Sequence, residues 1–215
     1  MNKFEKPKMT ELISRSFKEY RADEDGNIIG VPIVFEQSTD ICGLFEETIA
    51  RGAISEDVLR DVAFFYNHDL NTKPLARTRT GKLKFSIEND GVHMIANINR
   101  ERSDANDLYL AIKDGDIDGM SFMFRIEDET WSRLDTDYPL RRINKIGYVQ
   151  EVSAVNYPAY EGTSINARAN TELDGARKAL DNARATLLDS SDEKKLKSEL
   201  ELEKTKNENR MKGMI

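Results

Sequence analysis

The sequence predicts an α+β fold that is mainly β, a small barrel or sandwich with helices packed outside it. Three observations support this. Residues 1–165 contain many short segments in which apolar and polar residues alternate, and turn residues separate these segments. Only two segments before residue 165 show helix signals. Residues 166–215 hold ten acidic and eleven basic residues and no aromatic residue, which predicts a charged helical, partly disordered tail.

Two hairpins are predicted in the first half of the chain. Strands over Ser14–Tyr20 and Ile28–Phe35 flank an Asp-Glu-Asp-Gly-Asn turn at 23–27. A second pair of alternating segments, 83–87 and 92–98, flanks Asn-Asp-Gly at 89–91. Each pair is therefore expected to be antiparallel and adjacent in its sheet.

Two helices are predicted between these strands and the later ones. The first covers Glu56–Phe64, with Ser55 as N-cap. The second covers Asp104–Asp114, with Ser103 as N-cap and Gly115 at its end.

The late strands and the tail show two different periods. Met120, Phe122, Phe124 and Ile126 alternate with other residues, which predicts a strand, and residues 149–155 predict another. In the tail, apolar residues from Leu173 to Leu187 recur at three- and four-residue intervals. This spacing predicts one or two exposed helices that pair with a partner, or else a solvated and frayed tail.

Composition excludes several classes of function. The formal net charge is −7 and no basic cluster is present, so nucleic-acid binding is not favoured. A single cysteine, Cys42, permits no intramolecular disulfide and fits a reducing compartment. No apolar run has the length of a signal peptide or a membrane span, so we expect the protein to stay in the cytoplasm in which it is made, or inside something assembled there.

The two histidines differ in their surroundings. His68 follows an aromatic run, Phe64-Phe65-Tyr66, and its neighbours are Asn67 and Asp69. An imidazole where a strand leaves the core is both anchored and reachable, as a general base must be. His93 lies in mid-strand, out of phase with the apolar stripe, and is expected to be a surface residue.

Ser121 is the candidate nucleophile. In a strand it points away from the face of Met120, Phe122 and Phe124, which fix the strand against the core. A serine becomes reactive only when a base holds its proton at hydrogen-bond distance, and a rigid strand supplies that placement. Gly119 permits close approach of substrate or neighbouring backbone.

Several motifs, taken together and in order, carry a family resemblance. They are Asn67-His68-Asp69, Leu75-Ala76-Arg77-Thr78, the hairpin at Gly91, Asp114-Gly115-Asp116-Ile117-Asp118-Gly119-Met120-Ser121-Phe122-Met123-Phe124, and Glu151-Val152-Ser153-Ala154-Val155-Asn156-Tyr157-Pro158-Ala159-Tyr160. This series resembles the prohead proteases of tailed bacteriophages over roughly residues 12–165. That family is related to the herpesvirus assembly proteases and shares their barrel.

The resemblance implies both a fold and a set of roles. The fold is a small closed or partly closed β-barrel with flanking helices, so residues 1–165 become the protease domain and 166–215 the tail. His68 becomes the general base and Ser121 the nucleophile of a serine endopeptidase. The third member departs from the herpesvirus pattern, which uses a second histidine after the serine, because His93 precedes Ser121 here. It is therefore expected to be Glu151, a carboxylate on a late strand that can orient the imidazole, with Asp69 as a rival. Arg141, Arg142 and backbone amides near Asn156 are candidate oxyanion donors.

The resemblance also implies partners. The substrates are the major capsid protein and a scaffold protein, or a scaffold-like extension of the capsid protein, inside the assembling prohead in the host cytoplasm. A homo-oligomer is expected, with no cofactor, metal, nucleic acid or membrane. The tail is expected to recruit the protease into the immature shell or to be removed by self-cleavage.

Three alternatives remain open from the sequence. Cys42 with His68 would make a cysteine protease, although cysteine is often a small buried apolar residue. A metal site is poorly supported, because two histidines and one cysteine lack ligand spacing. A non-catalytic capsid assembly or scaffolding protein would also suit the charged tail.

Overall fold

The computed structural model describes residues 13–17, 20–156 and 174–188. Backbone contacts divide the chain into two units, Met1–Gly175 and Ala176–Ile215. The predicted domain boundary at residue 165 lies outside the described residues and stays a prediction.

The first unit is built mainly from strands, as the sequence predicts. In chain order its elements are β1 (Ile13–Phe17), β2 (Tyr20–Ala22), β3 (Asn27–Val34), β4 (Thr39–Ile41), β5 (Phe45–Ile49), a 3-10 helix (Glu56–Leu59), β6 (Ala63–Tyr66), β7 (Ala76–Arg77), a 3-10 helix (Thr78–Thr80), β8 (Leu83–Ile87), β9 (Gly91–Asn97), α1 (Ser103–Asp114), β10 (Gly119–Ser132) and β11 (Leu140–Val155).

The strands form two sheets. The larger has the order β1-β10-β11-β5-β4, with β6 paired to β11 and β7 paired to β6, and the smaller has the order β2-β3-β9-β8. Strand pairing closes no barrel among the residues that the structure describes. The mainly β class with added helices is therefore confirmed, whereas a partly closed barrel stays a prediction.

The first predicted hairpin is wrong in its N-terminal strand. Only Tyr20–Ala22 pairs with β3, whereas Ile13–Phe17 pairs with β10 in the other sheet. The reason lies in β10, whose residues 119–122 are all buried. Buried backbone groups need hydrogen-bond partners, and β1 supplies them along the edge of β10 that β11 leaves open.

The second hairpin is confirmed. β8 and β9 are antiparallel, with Leu83 opposite Ala96 and Ile87 opposite Val92. Gly91 begins β9 at a point where a side chain has no room, since a Cβ there would lie 2.2 Å from the carbonyl oxygen of Ile33. Glycine is thus required for β9 to approach β3 this closely.

The predicted helix over Glu56–Phe64 is wrong in its second half. A 3-10 helix covers Glu56–Leu59, and Ala63–Tyr66 forms β6. This short apolar segment pairs with β11 on one side and β7 on the other. Its first three residues are all buried, so both of its faces are apolar there and it lacks the alternation that identifies half-buried strands.

The second predicted helix is confirmed as α1, and Gly115 ends it with a left-handed φ of 84°. Its N-terminus differs from the prediction, because Arg102 rather than Ser103 is the N-cap and no side chain caps the helix. The Arg102 guanidinium instead pairs with Asp104 at 2.6 Å.

The two late strands are longer than predicted and form a bent antiparallel ribbon. Their register shifts at several points between Met123 and Glu129, which indicates β-bulges. Phe122 and Phe124 stack at 4.4 Å between ring centroids within the core. The first register shift lies between these two phenylalanines, and the others lie between Phe124 and the half-exposed far end of the ribbon.

Residues 174–188 form a helix, α2, most of which belongs to the second unit, in agreement with the predicted spacing. The remainder of the predicted tail lies outside the described residues. Within the described part of the chain, no helix is both long and apolar enough to cross a membrane.

Candidate active site

Three adjacent strands bring the candidate residues together. β11 lies between β10 and β6, so that Ser121 is opposite Ser153 and Ser153 is opposite Phe65. Residues directly opposite each other share one face of a sheet, with Cβ atoms roughly 4.5–5.5 Å apart in an antiparallel pair. Glu151 precedes Ser153 by two residues and so lies on the same face.

Ser121 is placed by its strand. Met120 and Phe122 belong to the apolar core, so the side chain between them points to the opposite face, as predicted. Ser121, Ser153 and Glu151 are each 0% exposed. At these three positions the polar face of β10 and β11 is therefore fully buried.

His68 lies just beyond β6, in an unusual backbone conformation. Asn67 and His68 both have left-handed φ angles, of 50° and 57°. The Asn67 amide donates to the Ala154 carbonyl at 2.8 Å, and its side-chain oxygen accepts the Asn156 amide at 3.1 Å. These bonds hold the turn against the end of β11, where the imidazole folds back over Glu151.

The imidazole of His68 is paired with Glu151. Its Nδ1 lies 2.6 Å from Glu151 Oε1, and the ring side chain is 14% exposed. A carboxylate only accepts hydrogen bonds, so the contact favours the tautomer in which Nδ1 carries the proton and Nε2 is the acceptor nitrogen. This arrangement can hold one tautomer and stabilise a transient imidazolium.

A fourth polar residue, Ser153, belongs to the cluster, and sequence reasoning gave it no role. Its hydroxyl hydrogen-bonds to Glu151 Oε2 and accepts the backbone N–H of His68 at 3.2 Å. The signal that could have found it is the two-residue spacing from Glu151, which places both side chains on one face of a strand.

The rival third member, Asp69, turns away from the ring. Its carboxylate accepts the Asn71 amide at 3.1 Å, and its carbonyl accepts the Thr72 hydroxyl at 2.7 Å. Asp69 thus shapes the turn that follows His68, and Glu151 is the carboxylate in contact with the imidazole.

The cysteine alternative loses its geometric basis. Cys42 is exposed, contrary to the expectation of a buried residue, and lies in the turn between β4 and β5. β5 pairs with Leu140–Ile143 of β11, whereas His68 contacts residues near the opposite end of that strand. The thiol and the imidazole therefore lie at different ends of the sheet.

The two arginines suggested as oxyanion donors are also engaged elsewhere. Arg141 pairs with Glu47 and Glu129, and Arg142 pairs with Glu36. Both arginines precede Glu151 by about ten residues, or roughly 30 Å of extended strand. Neither reaches Ser121, so the suggestion is wrong for both.

One cluster of possible metal ligands lies outside this site. In the part of the chain that the structure describes, Glu88, Asp90 and His93 hold ligand atoms within 4.8 Å of one another. They lie around the turn between β8 and β9, where His93 is partly exposed, as predicted. Its ring hydrogen-bonds to Asp90 at 3.0 Å and holds the pKa of that carboxyl below its ordinary value. This cluster belongs to the β8–β9 hairpin of the smaller sheet, whereas Ser121 and Glu151 lie on β10 and β11 of the larger one.

Comparison with known proteins gives the family. The model of the caudovirus prohead serine protease family matches residues 15–178. Among solved structures, the bacteriophage T4 capsid assembly protease, gp21, is similar with a TM-score of 0.44 and 15% identity, over 67% of this chain and 97% of that one. The curated proteins gave no match. The family match covers well over half of the chain and confirms the resemblance drawn from the motifs. The chain belongs to the caudovirus prohead serine proteases and is a serine peptidase of phage capsid maturation.

Proposed function

We propose that Ser121 is the nucleophile of this protease, His68 its general base, and Glu151 the carboxylate that orients the base. The observation that carries the proposal is the 2.6 Å contact between His68 Nδ1 and Glu151. It occurs beside a serine held by strand register on the same buried face. Buried polar groups of this kind are costly unless paired, and here they form a connected chain of partners.

The proposed reaction is acyl transfer. Ser121 Oγ attacks the carbonyl carbon of the scissile peptide bond while His68 Nε2 takes the hydroxyl proton. The resulting imidazolium is stabilised by Glu151 through Nδ1–H. His68 then gives the proton to the departing amine, and the C–N bond breaks. Water, deprotonated by the same imidazole, hydrolyses the acyl-enzyme and restores Ser121.

The proposed setting follows from the family. The protease cleaves the major capsid protein and a scaffold protein, or a scaffold-like extension of the capsid protein, within the assembling prohead in the host cytoplasm. It acts as a homo-oligomer and without cofactor, metal, nucleic acid or membrane. A non-catalytic assembly role is less favoured, because the family is a protease family and a buried His–Glu pair is not needed for scaffolding.

We also propose that the two sheets form a partly closed barrel. β1 and β10, at one side of the larger sheet, both contact β3 of the smaller sheet. A bent β10–β11 ribbon would let one sheet curve toward the other at this point.

The direct test is coexpression with the capsid protein of the same virus, followed by mass spectrometry of the products. Ser121→Ala and His68→Ala are each expected to abolish capsid protein cleavage while the variants remain folded. The first removes the proposed nucleophile and the second removes the proposed general base. Ser132→Ala, at the exposed end of the same strand, is the matched control and should cleave normally. Full cleavage by folded Ser121→Ala would contradict the proposal.

A further inference from the structure

We infer that Ser153 is a positioning residue, which fixes both the base and its carboxylate through one hydroxyl. The inference rests on the proposed roles of His68 and Glu151. Ser153 is 0% exposed and lies opposite Ser121 in the β10–β11 pairing. It touches two members of the proposed catalytic group at once.

The bonding capacity of a hydroxyl fits this double contact. A serine has one proton to donate and two lone pairs that accept. The proton goes to Glu151 Oε2, since a carboxylate cannot donate, and a lone pair accepts the His68 backbone N–H at 3.2 Å. Donor and acceptor functions are thus used on two different residues without conflict.

The first consequence concerns Glu151. Its Oε1 faces the imidazole and its Oε2 faces Ser153. A carboxylate held at both oxygens cannot rotate about its terminal bond, so Oε1 stays aimed at Nδ1. Without Ser153, a buried carboxylate oxygen loses a partner and the carboxylate turns toward whatever donor remains.

The second consequence concerns the backbone of His68. Its left-handed φ of 57° follows another left-handed residue, Asn67, and such a conformation persists only where its surroundings fix it. Ser153 supplies the acceptor for the His68 amide in that conformation. The imidazole is therefore held at both ends, through its backbone and through its Nδ1 partner.

The alternative is that Ser153 only satisfies buried backbone and stabilises the strand. A reactivity probe separates the two, because it reports on the nucleophile without a protein substrate. A fluorophosphonate reacts with an activated serine: the serine oxygen bonds to phosphorus, fluoride leaves, and the serine proton passes to the base. Peptide mapping of the adduct identifies which serine has reacted.

We expect Ser153→Ala to label at Ser121 about 10- to 100-fold more slowly than the wild type, as a small misplacement of a catalytic group produces. Ser153→Thr keeps a hydroxyl on a β-branched side chain suited to a strand and should restore most of the rate. The downfield proton resonance of the imidazole Nδ1–H should broaden or vanish in Ser153→Ala and return in Ser153→Thr.

The matched control is Thr48→Val on β5. The Thr48 hydroxyl is buried and has no hydrogen-bond partner among the described residues, so removing it deletes a buried strand hydroxyl outside the site. All rates are measured well below each variant's melting temperature and divided by the folded fraction. Thr48→Val is expected to label at the wild-type rate.

Each outcome has one meaning. An adduct on Ser121, slow labelling in Ser153→Ala and recovery in Ser153→Thr support the inference. Wild-type labelling and an unchanged Nδ1–H resonance in Ser153→Ala overturn it, while loss of labelling in Ser121→Ala keeps the proposed function intact. Wild-type labelling of folded Ser121→Ala, or an adduct on Ser153, overturns the proposed function itself.

Discussion

The two ends of the β10–β11 ribbon each bury a glutamate beside a basic side chain. At one end Glu47 is 2% exposed and pairs with Arg141, which also binds Glu129 and lies over the Trp131 ring. At the other end Glu151 is 0% exposed and pairs with His68. The same long strand, β11, contributes to both sites.

The difference between the two sites lies in the basic partner. A guanidinium keeps its proton at every pH that a protein meets, so the Arg141–Glu47 pair is a fixed arrangement of charge. An imidazole has two ring nitrogens, so while Nδ1 contacts Glu151 the other, Nε2, is suited to accept a proton from a reacting group. The His68 side chain is also more exposed than that of Arg141, at 14% against 4%. The basic partner is thus what separates Glu47, in a fixed ion pair, from Glu151, which we propose orients the general base.

The largest loss of catalytic rate is expected from Glu151→Gln. The amide group of glutamine presents either a donor or an acceptor to Nδ1 and no longer imposes one tautomer on the ring. We expect cleavage of the capsid protein and fluorophosphonate labelling to fall by roughly 10³- to 10⁴-fold, as when a carboxylate is replaced by an amide in a serine triad.

The matched control for Glu151→Gln is Glu47→Gln, the same change at the other buried acid. It is expected to keep the wild-type labelling rate per folded molecule. Equal losses of rate in the two variants would mean that Glu151 acts through stability alone. The proposed difference in role between Glu47 and Glu151 would then be wrong.

A smaller effect, on stability rather than rate, is expected from Arg141→Met. The substitution removes the Arg141 guanidinium from the buried Glu47 carboxylate, and breaking a buried ion pair in this way costs about 3–5 kcal/mol in the free energy of unfolding. Urea unfolding measures this loss. The labelling rate of the folded fraction should not change, because Arg141 lies far along β11 from Ser121.

A second substitution sharpens the Arg141→Met result. Replacing a buried ion pair by apolar residues of similar size is often close to neutral. Arg141→Met combined with Glu47→Leu should therefore recover much of the lost free energy of unfolding. If the double variant were as unstable as the sum of the single ones, the loss would come from packing rather than from the broken Arg141–Glu47 ion pair.

Sequence patterns predicted the parts of the molecule that local chemistry decides. The β8–β9 hairpin follows from its Asn-Asp-Gly turn, and α1 follows from its apolar spacing and its terminal Gly115. The motifs around His68, Ser121 and Glu151 also led to a single cluster, although their catalytic roles remain proposals. In each case the signal lay within a few residues of the feature that it predicted.

The parts that failed depend on distant partners. Ala63–Tyr66 forms a strand because β11 and β7 pair with it on either side. β1 pairs with β10 rather than with β3, along the edge of β10 that β11 leaves open. Arg141 became structural because the fold placed Glu47 and Glu129 beside it. Local sequence patterns do not predict which distant strands will pair, so these features could be identified only from the structure.

The smallest effect on the free energy of unfolding is expected from the exposed Arg142–Glu36 pair, because Arg142 lies on the other face of β11 from Arg141. Arg142 binds both carboxylate oxygens of Glu36 at 2.7 Å, with side chains 41% and 38% exposed. The hydrogen bonds from Arg142, with the Arg51 amide, lower the pKa of Glu36 from 4.5 to about 2. Because the pair is exposed, solvent screening limits its contribution to roughly 0.5–1 kcal/mol.

The pH dependence of this pair has a definite sign. A carboxyl whose pKa is lower in the folded state stabilises the fold at pH values above its unfolded pKa, and this stabilisation is lost as the pH falls through its folded pKa. We therefore expect the coupling between Glu36→Gln and Arg142→Gln, measured by urea unfolding of both single variants and the double variant, to be constant above about pH 5.5. It should shrink between the pKa values of 4.5 and about 2. A coupling that grew on acidification would mean that the Glu36 carboxyl is stabilised in its protonated form, and the contrast between an exposed pair and the buried one at Arg141 would then have to be redrawn.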